Sequence, residues 1–170
     1  MQPDVLEELY RKYYGTAYAY TLSLCKSRED AEDIVADAYV KALFSLDREN
    51  DNFLYWLLLV CRNLWIDRLR RNQKLLKLQT ELPVYSPPEH APETRAIQRE
   101  CSGLLLRCIF TFSPHYREAL LLYYYAGLST GEVAGVMHLS AGNVKTTLCR
   151  GRIKLKKALE ESGYEFQGSF

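Results

Sequence analysis

Apolar residues recur every three to four positions over most of this chain, which predicts amphipathic helices. Leu6, Leu9, Tyr13, Ala17, Tyr20 and Leu24 fall on one face of a first helix, with Gly15 admitting a kink. Ser27 then stands ahead of Glu29, Asp30 and Glu32, a cap and an acidic first turn suited to the positive end of a helix dipole. The second helix runs to about Leu46 and buries Ala31, Ile34, Val35, Ala38, Ala42 and Leu46, leaving Asp33, Asp37, Val40 and Lys41 outward. After the polar stretch Asp47 to Asn52, a third helix from Phe53 to Arg71 turns Phe53, Trp56, Leu57, Val60, Leu64 and Leu69 inward. At this spacing Trp56 reads as a core residue. Leu59, Arg62, Asn63, Ile66 and Arg70 form a separate stripe, basic and amide-bearing, that is available to a partner.

The helical pattern fades after Leu78. Pro83, Pro87, Pro88 and Pro92 make residues 79–92 a linker, since proline removes a backbone donor and breaks helices and central strands alike. Stretched out, those residues span roughly 45 Å. Helical spacing resumes from Glu93 to Phe110, and again after Ser113-Pro114, with Ser as cap and Pro at the first helical position. Gly127-Leu128 closes that helix. Ser129 and Glu132 form a capping box for a short helix carrying Val133, Ala134, Val136 and Met137. His138-Leu139 is a tight connection, and Ser140 caps a last helix whose Val144, Leu148, Gly151, Leu155 and Leu159 share one face. Two short capped helices around such a turn are a helix-turn-helix, the motif whose second helix enters the major groove of DNA. Opposite its buried stripe lie Gly142, Asn143, Thr146, Cys149, Arg150 and Ile153, flanked by Lys145, Arg152 and Lys154. Asn143 and Arg150 carry the paired groups suited to base edges.

The composition sharpens this picture of an all-α protein with two small helical domains, 1–78 and 93–170. With 170 residues, 48% hydrophobic and 25% charged, the chain is an ordinary globular one. Its longest apolar run, Phe53 to Cys61, falls well short of the ~20 residues that span a bilayer. No basic stretch followed by an apolar one opens the chain, so a cytoplasmic location is expected. Five cysteines without a Cys-x-x-Cys spacing fit reduced thiols, and no metal or cofactor is expected.

Net charge is only +1, but it is divided unevenly. Residues 1–53 carry a net charge of −5, 54–78 of +5, 143–159 of +6 and the tail from Glu160 of −3. A polyanion touching only the third and last helices would meet a basic protein.

With these motifs in order, the chain resembles the sigma factors of bacterial RNA polymerase, in particular the small extracytoplasmic-function (ECF) group that keeps only the second and fourth conserved regions. In the first half the likeness rests on Leu9-Tyr10-Arg11-Lys12-Tyr13, on Glu29 to Val35 with Ala38 and Lys41-Ala42, and on Phe53, Trp56-Leu57, Arg62-Asn63-Leu64, Asp67 and Arg70. In the second half it rests on Gly127-Leu128-Ser129, Glu132-Val133-Ala134, Leu139-Ser140, Val144-Lys145, Leu148, Arg150, Arg152 and Leu155. The resemblance implies that Asp33, Asp37, Val40 and Lys41 bind core RNA polymerase at the coiled coil of its β′ subunit, with the β subunit also a partner. It implies that Asp47, Arg48, Asn50, Asn52, Arg62, Asn63, Ile66 and Arg70 engage the promoter's -10 element and open it. Ser140, Gly142, Asn143, Lys145, Thr146, Thr147, Arg150 and Arg152 would then read the -35 element as duplex DNA, and an anti-sigma factor is a further partner the resemblance admits. Against the family pattern, the loop before Phe53 is about two residues shorter and more acidic. Thr147 stands where Arg is frequent, Asn143 where Thr is common, and His138 where Gly is frequent.

Two other readings compete. A stand-alone helix-turn-helix regulator needs a sensing pocket or a symmetric interface in its first half, where this chain instead carries separate acidic and basic faces. An enzyme needs a catalytic constellation, yet the sequence holds no His-Glu-x-x-His, no phosphate-binding glycine loop and only three scattered histidines, His90, His115 and His138.

Overall fold

The computed structural model describes residues 3–45, 52–76 and 105–161, with helices α1 (Pro3–Cys25), α2 (Arg28–Ser45), α3 (Phe53–Leu76), α4 (105–110), α5 (Pro114–Leu120), α6 (Thr130–Met137) and α7 (Ala141–Glu161), and a π-helical turn over Leu121–Tyr125. The chain divides into two compact units, Met1–Pro87 and Pro88–Phe170. The expected linker 79–92, the start of the helix expected from Glu93, and Leu46 to Asp51 lie outside the described residues.

In the first unit α1, α2 and α3 pack pairwise into a three-helix bundle. Ala17, Tyr20, Ala31, Ile34, Val35, Ala38, Ala42, Leu57, Leu58 and Cys61 make its core. The small residues of α2 let its neighbours approach closely, as the apolar spacing required. Helix α1 continues unbroken through Gly15. The α1–α2 corner takes two residues, with Lys26 in the left-handed region (φ 58°) and the Asp30 amide donating to Ser27 Oγ at 3.3 Å. Tyr39, which the sequence pattern did not assign to the core, is buried and donates its hydroxyl to the Leu9 carbonyl at 3.3 Å. Leu69, expected inward, is exposed, and α3 runs five residues beyond Arg71, to Leu76.

In the second unit α7 packs on α5 and α6. Arg117, buried in α5, donates to the carbonyls of Phe110 and Phe112 at 3.3 and 3.5 Å and so satisfies acceptors at the end of α4. Ser113 sits at the expected cap position, but it accepts no side-chain bond there; its carbonyl takes the Arg117 amide instead. The π-helical turn after Leu120 was not foreseen. Two residues beyond its end stands Gly127, whose φ of +72° lets the Leu128 amide reach back to the Leu122 carbonyl at 3.1 Å. Gly151 faces Leu120 so closely that a Cβ there would lie 3.3 Å from three Leu120 side-chain carbons.

Candidate nucleic-acid and polymerase interface

On α2, Asp33, Asp37, Val40 and Lys41 are exposed together, as expected from their spacing. Their neighbour comes from another helix. Arg68, reaching across from α3, lies 2.8 Å from Asp30, 3.4 Å from Asp33 and 3.9 Å from Asp37. One guanidinium therefore ties three carboxylates, its Nη1 short to Asp30 and its Nη2 shared more loosely between Asp33 and Asp37. Beyond Val40 the stripe becomes apolar, for Leu43 is exposed and Phe44 is 86% exposed.

On α3, Arg62, Ile66 and Leu59 are half-buried, whereas Asn63 and Arg70 are exposed, so the expected stripe does lie along one accessible side. Arg70 is 3.8 Å from Asp67, an exposed pair that contributes little and leaves the cation available. Of the preceding loop only Asn52 is described; it is exposed, and its carbonyl accepts the Trp56 amide at 3.1 Å. Asp47, Arg48 and Asn50 lie outside the described residues. Trp56 is half-buried with its ring 6.0 Å from that of Phe53, consistent with packing at the bundle's edge. On the inner face of α3, Cys61 is fully buried and its thiol pKa is pushed up to about 12 by loss of water, a shift that Thr21 only partly offsets.

The helix-turn-helix is built as its caps demand. Ser129 Oγ accepts the Glu132 amide at 3.3 Å while Glu132 accepts the Ser129 amide at 2.7 Å, closing the capping box on α6. His138 adopts φ 55°, and the Leu139 amide returns to the Ala134 carbonyl at 3.0 Å, which ends α6 and turns the chain. Ser140 Oγ then accepts the Asn143 amide at 3.2 Å and starts α7.

Every residue assigned to the buried face of α7 is buried: Val144, Leu148, Gly151, Leu155 and Leu159. Gly142, Asn143, Thr146, Cys149, Arg150 and Ile153 are all exposed opposite them, with Ser140 and Lys145 exposed and Arg152 half-buried. Thr146 bonds back to the Gly142 carbonyl at 3.1 Å. Thr147 departs from expectation. It is only 7% exposed, and its hydroxyl lies 2.9 Å from His115 Nε2 on α5, so it belongs to the packing of α7 and is withdrawn from the DNA-facing set. Its position on the helix flank decides this, because α5 covers that side.

Among the described residues no group of three His, Cys, Asp or Glu side chains converges to hold a metal, and no helix is long and apolar enough to cross a membrane. Cys25, Cys61, Cys108 and Cys149 are free thiols.

Comparison with known proteins matches residues 9–75 to Sigma-70 region 2 and residues 102–155 to Sigma-70, region 4. The ECF RNA polymerase sigma factor SigM of Bacillus subtilis is 30% identical over 152 residues, which cover 89% of this chain and 93% of that protein. The ECF RNA polymerase sigma factor SigW of the same organism is 28% identical over 169 residues, covering 93% and 90%. Among solved structures, the sigma factor RpoE of Bartonella quintana, in complex with the anti-sigma factor NepR, shares the fold with a TM-score of 0.69 at 21% identity, over 91% of this chain and 98% of that one.

Proposed function

The chain belongs to the ECF RNA polymerase sigma factors, and from that membership we propose that it binds core RNA polymerase and directs it to promoters through two helical domains, 1–78 and 93–170, tethered by 79–92. The first domain docks on the polymerase β′ coiled coil through Asp33, Asp37, Val40 and Lys41. Along α3, Arg62, Asn63, Ile66 and Arg70, with loop residues Asp47, Arg48, Asn50 and Asn52, hold the opened -10 element. Unstacking a base costs a few kcal/mol, and cationic and amide contacts to the separated strand offset it. The second domain reads the -35 duplex with Ser140, Gly142, Asn143, Lys145, Thr146, Arg150 and Arg152.

The observation that carries this reading is the division of α7 into a fully buried face and a fully exposed one with cations along both flanks. Such a helix, capped by Ser140 at the end of a tight turn, has the form that a major groove admits. The protein works by binding, in the cytoplasm, on core RNA polymerase and promoter DNA, and an anti-sigma factor is a further partner in keeping with its relatives' complexes. The test is to mix the purified chain with sigma-free core polymerase and follow co-elution by size exclusion, then promoter-dependent transcription. Co-elution with transcription supports the proposal. A folded chain that binds duplex DNA and never associates with core polymerase would instead be a stand-alone regulator.

A further inference from the structure

Helix α7 is held from both sides by residues outside the helix-turn-helix. Positions seven apart share a flank of a helix, so Lys145 and Arg152 lie on one side of the exposed stripe and Thr147 and Lys154 on the other. On the second flank, His115 Nε2 lies 2.9 Å from the Thr147 hydroxyl, and Lys154 Nζ sits over the Tyr116 ring, 5.5 Å from its centroid. On the first flank, Arg152 lies beside Tyr124, where its charge draws down a phenol pKa that burial raises. These contacts come from the start of α5 and from the π-helical turn, two places that flank α7.

Among the described residues neither cation has an acidic partner to neutralise it. Lys156 and Lys157 differ, since each lies near a glutamate one turn on, 3.9 Å from Glu160 and 3.8 Å from Glu161. A tyrosine holds a cation without cancelling its charge: the ring face attracts an ammonium group, and the hydroxyl takes one of a guanidinium's five donors while leaving the others. Long side chains held in advance lose less entropy when they meet a phosphate.

We propose that Tyr116 and Tyr124 are positioning residues for promoter binding, holding Lys154 and Arg152 at the two flanks of α7 where the phosphate backbones on either side of the major groove would pass. The inference rests on the reading of α7 as the duplex-binding helix. It adds two residues outside the recognition helix that act on DNA only through its cations.

Holoenzyme assembled with the full chain tests this by promoter affinity over a series of salt concentrations. Arg152→Ala and Lys154→Ala should each weaken binding and reduce the slope of log K against log salt by about 0.9. Tyr124→Phe, which keeps the ring and removes the acceptor, should weaken binding about two- to fivefold, and adding it to Arg152→Ala should cause no further loss. Tyr116→Phe should bind as the unmodified chain does, whereas Tyr116→Leu should lose about two- to threefold, a loss abolished in the Lys154→Ala background. Thermal melting of each variant excludes a folding defect. Losses that add to those of Arg152→Ala and Lys154→Ala, or unchanged affinity in Tyr124→Phe and Tyr116→Leu while the cation variants are weakened, would overturn the inference. If Arg152→Ala and Lys154→Ala themselves leave affinity and slope unchanged, the duplex-binding reading of the α7 flanks fails, and the inference with it.

Discussion

Reversing the charge of Asp37 separates what the acidic stripe does for the fold from what it does for polymerase. Asp37 Oδ2 lies 3.9 Å from Arg68 Nη2 and its side chain is 61% exposed. An arginine placed there faces Arg68 across a similar gap, where two like charges repel by about 1 kcal/mol in water and about 4 kcal/mol at the effective dielectric of a protein surface. The exposed side chain swings into solvent, and Arg68 keeps its closest partner, Asp30, at 2.8 Å. The cost to the first unit is therefore about 1 kcal/mol at most, a fall of a few degrees in melting temperature. A partner surface that receives Asp33 and Asp37 offers positive groups or donors, and like charge set against it costs several kcal/mol, so core polymerase binding should fall by about a hundredfold or more. Circular dichroism melting and a fluorescence titration with core polymerase measure the two effects. Arg68→Asp, by contrast, sets a carboxylate against Asp30, Asp33 and Asp37 and should lower the melting temperature more than Asp37→Arg does. Wild-type affinity for core polymerase in Asp37→Arg would refute the assignment of this stripe to polymerase.

Other expectations follow from single contacts. Arg150→Ala should weaken promoter binding at the -35 element and leave core binding intact, as footprinting and co-elution would report. Arg117→Met removes the donor from two carbonyls at the end of α4 and should destabilise the second unit by about 1–3 kcal/mol, measured by denaturant titration. Gly151→Val drives branched carbon into Leu120, which is fully buried, and should cost about 1–3 kcal/mol in the same assay. The raised thiol pKa of Cys61 means that the folded state keeps its proton where the unfolded chain, with its ordinary value near 9, loses it. Stability is thus unaffected by this thiol below about pH 9 and declines between about pH 9 and 12, and Cys61→Ser, whose hydroxyl does not titrate there, should flatten that part of the profile.

Much of this was legible in the sequence, because the signals are local. Ser129 with Glu132, Ser140, and the buried stripe from Val144 to Leu159 each depend on residues within one helix or one turn, and all appear where the spacing put them. The acidic stripe of α2 was legible for the same reason. Its clasp was not, since Arg68 lies 38 residues from Asp30 in sequence and only the packing of α3 on α2 brings them together. Thr147 failed in the same way. A flank position has no hydrophobic signal, and whether it faces DNA or protein depends on α5, 32 residues earlier. The exposure of Leu69 depends on which residues of other helices cover it, which a periodic pattern does not record. Nor does periodicity anticipate a π-helical turn, which inserts its extra residue without changing the composition around it.

The turn between α6 and α7 has a consequence for how such a chain can diversify. His138, Leu139 and Ser140 are closed at both ends by hydrogen bonds, so one inserted residue would break a cap or rotate α7 by roughly 100° and carry its polar side inward. The length of this segment is therefore fixed by the two caps and the packing of α7. By contrast Asn143, Thr146, Cys149, Arg150 and Ile153 stand in solvent, where exchanges alter stability by about half a kcal/mol or less. The chemistry of that surface is free to drift, one side chain at a time, while the register that presents it stays constant.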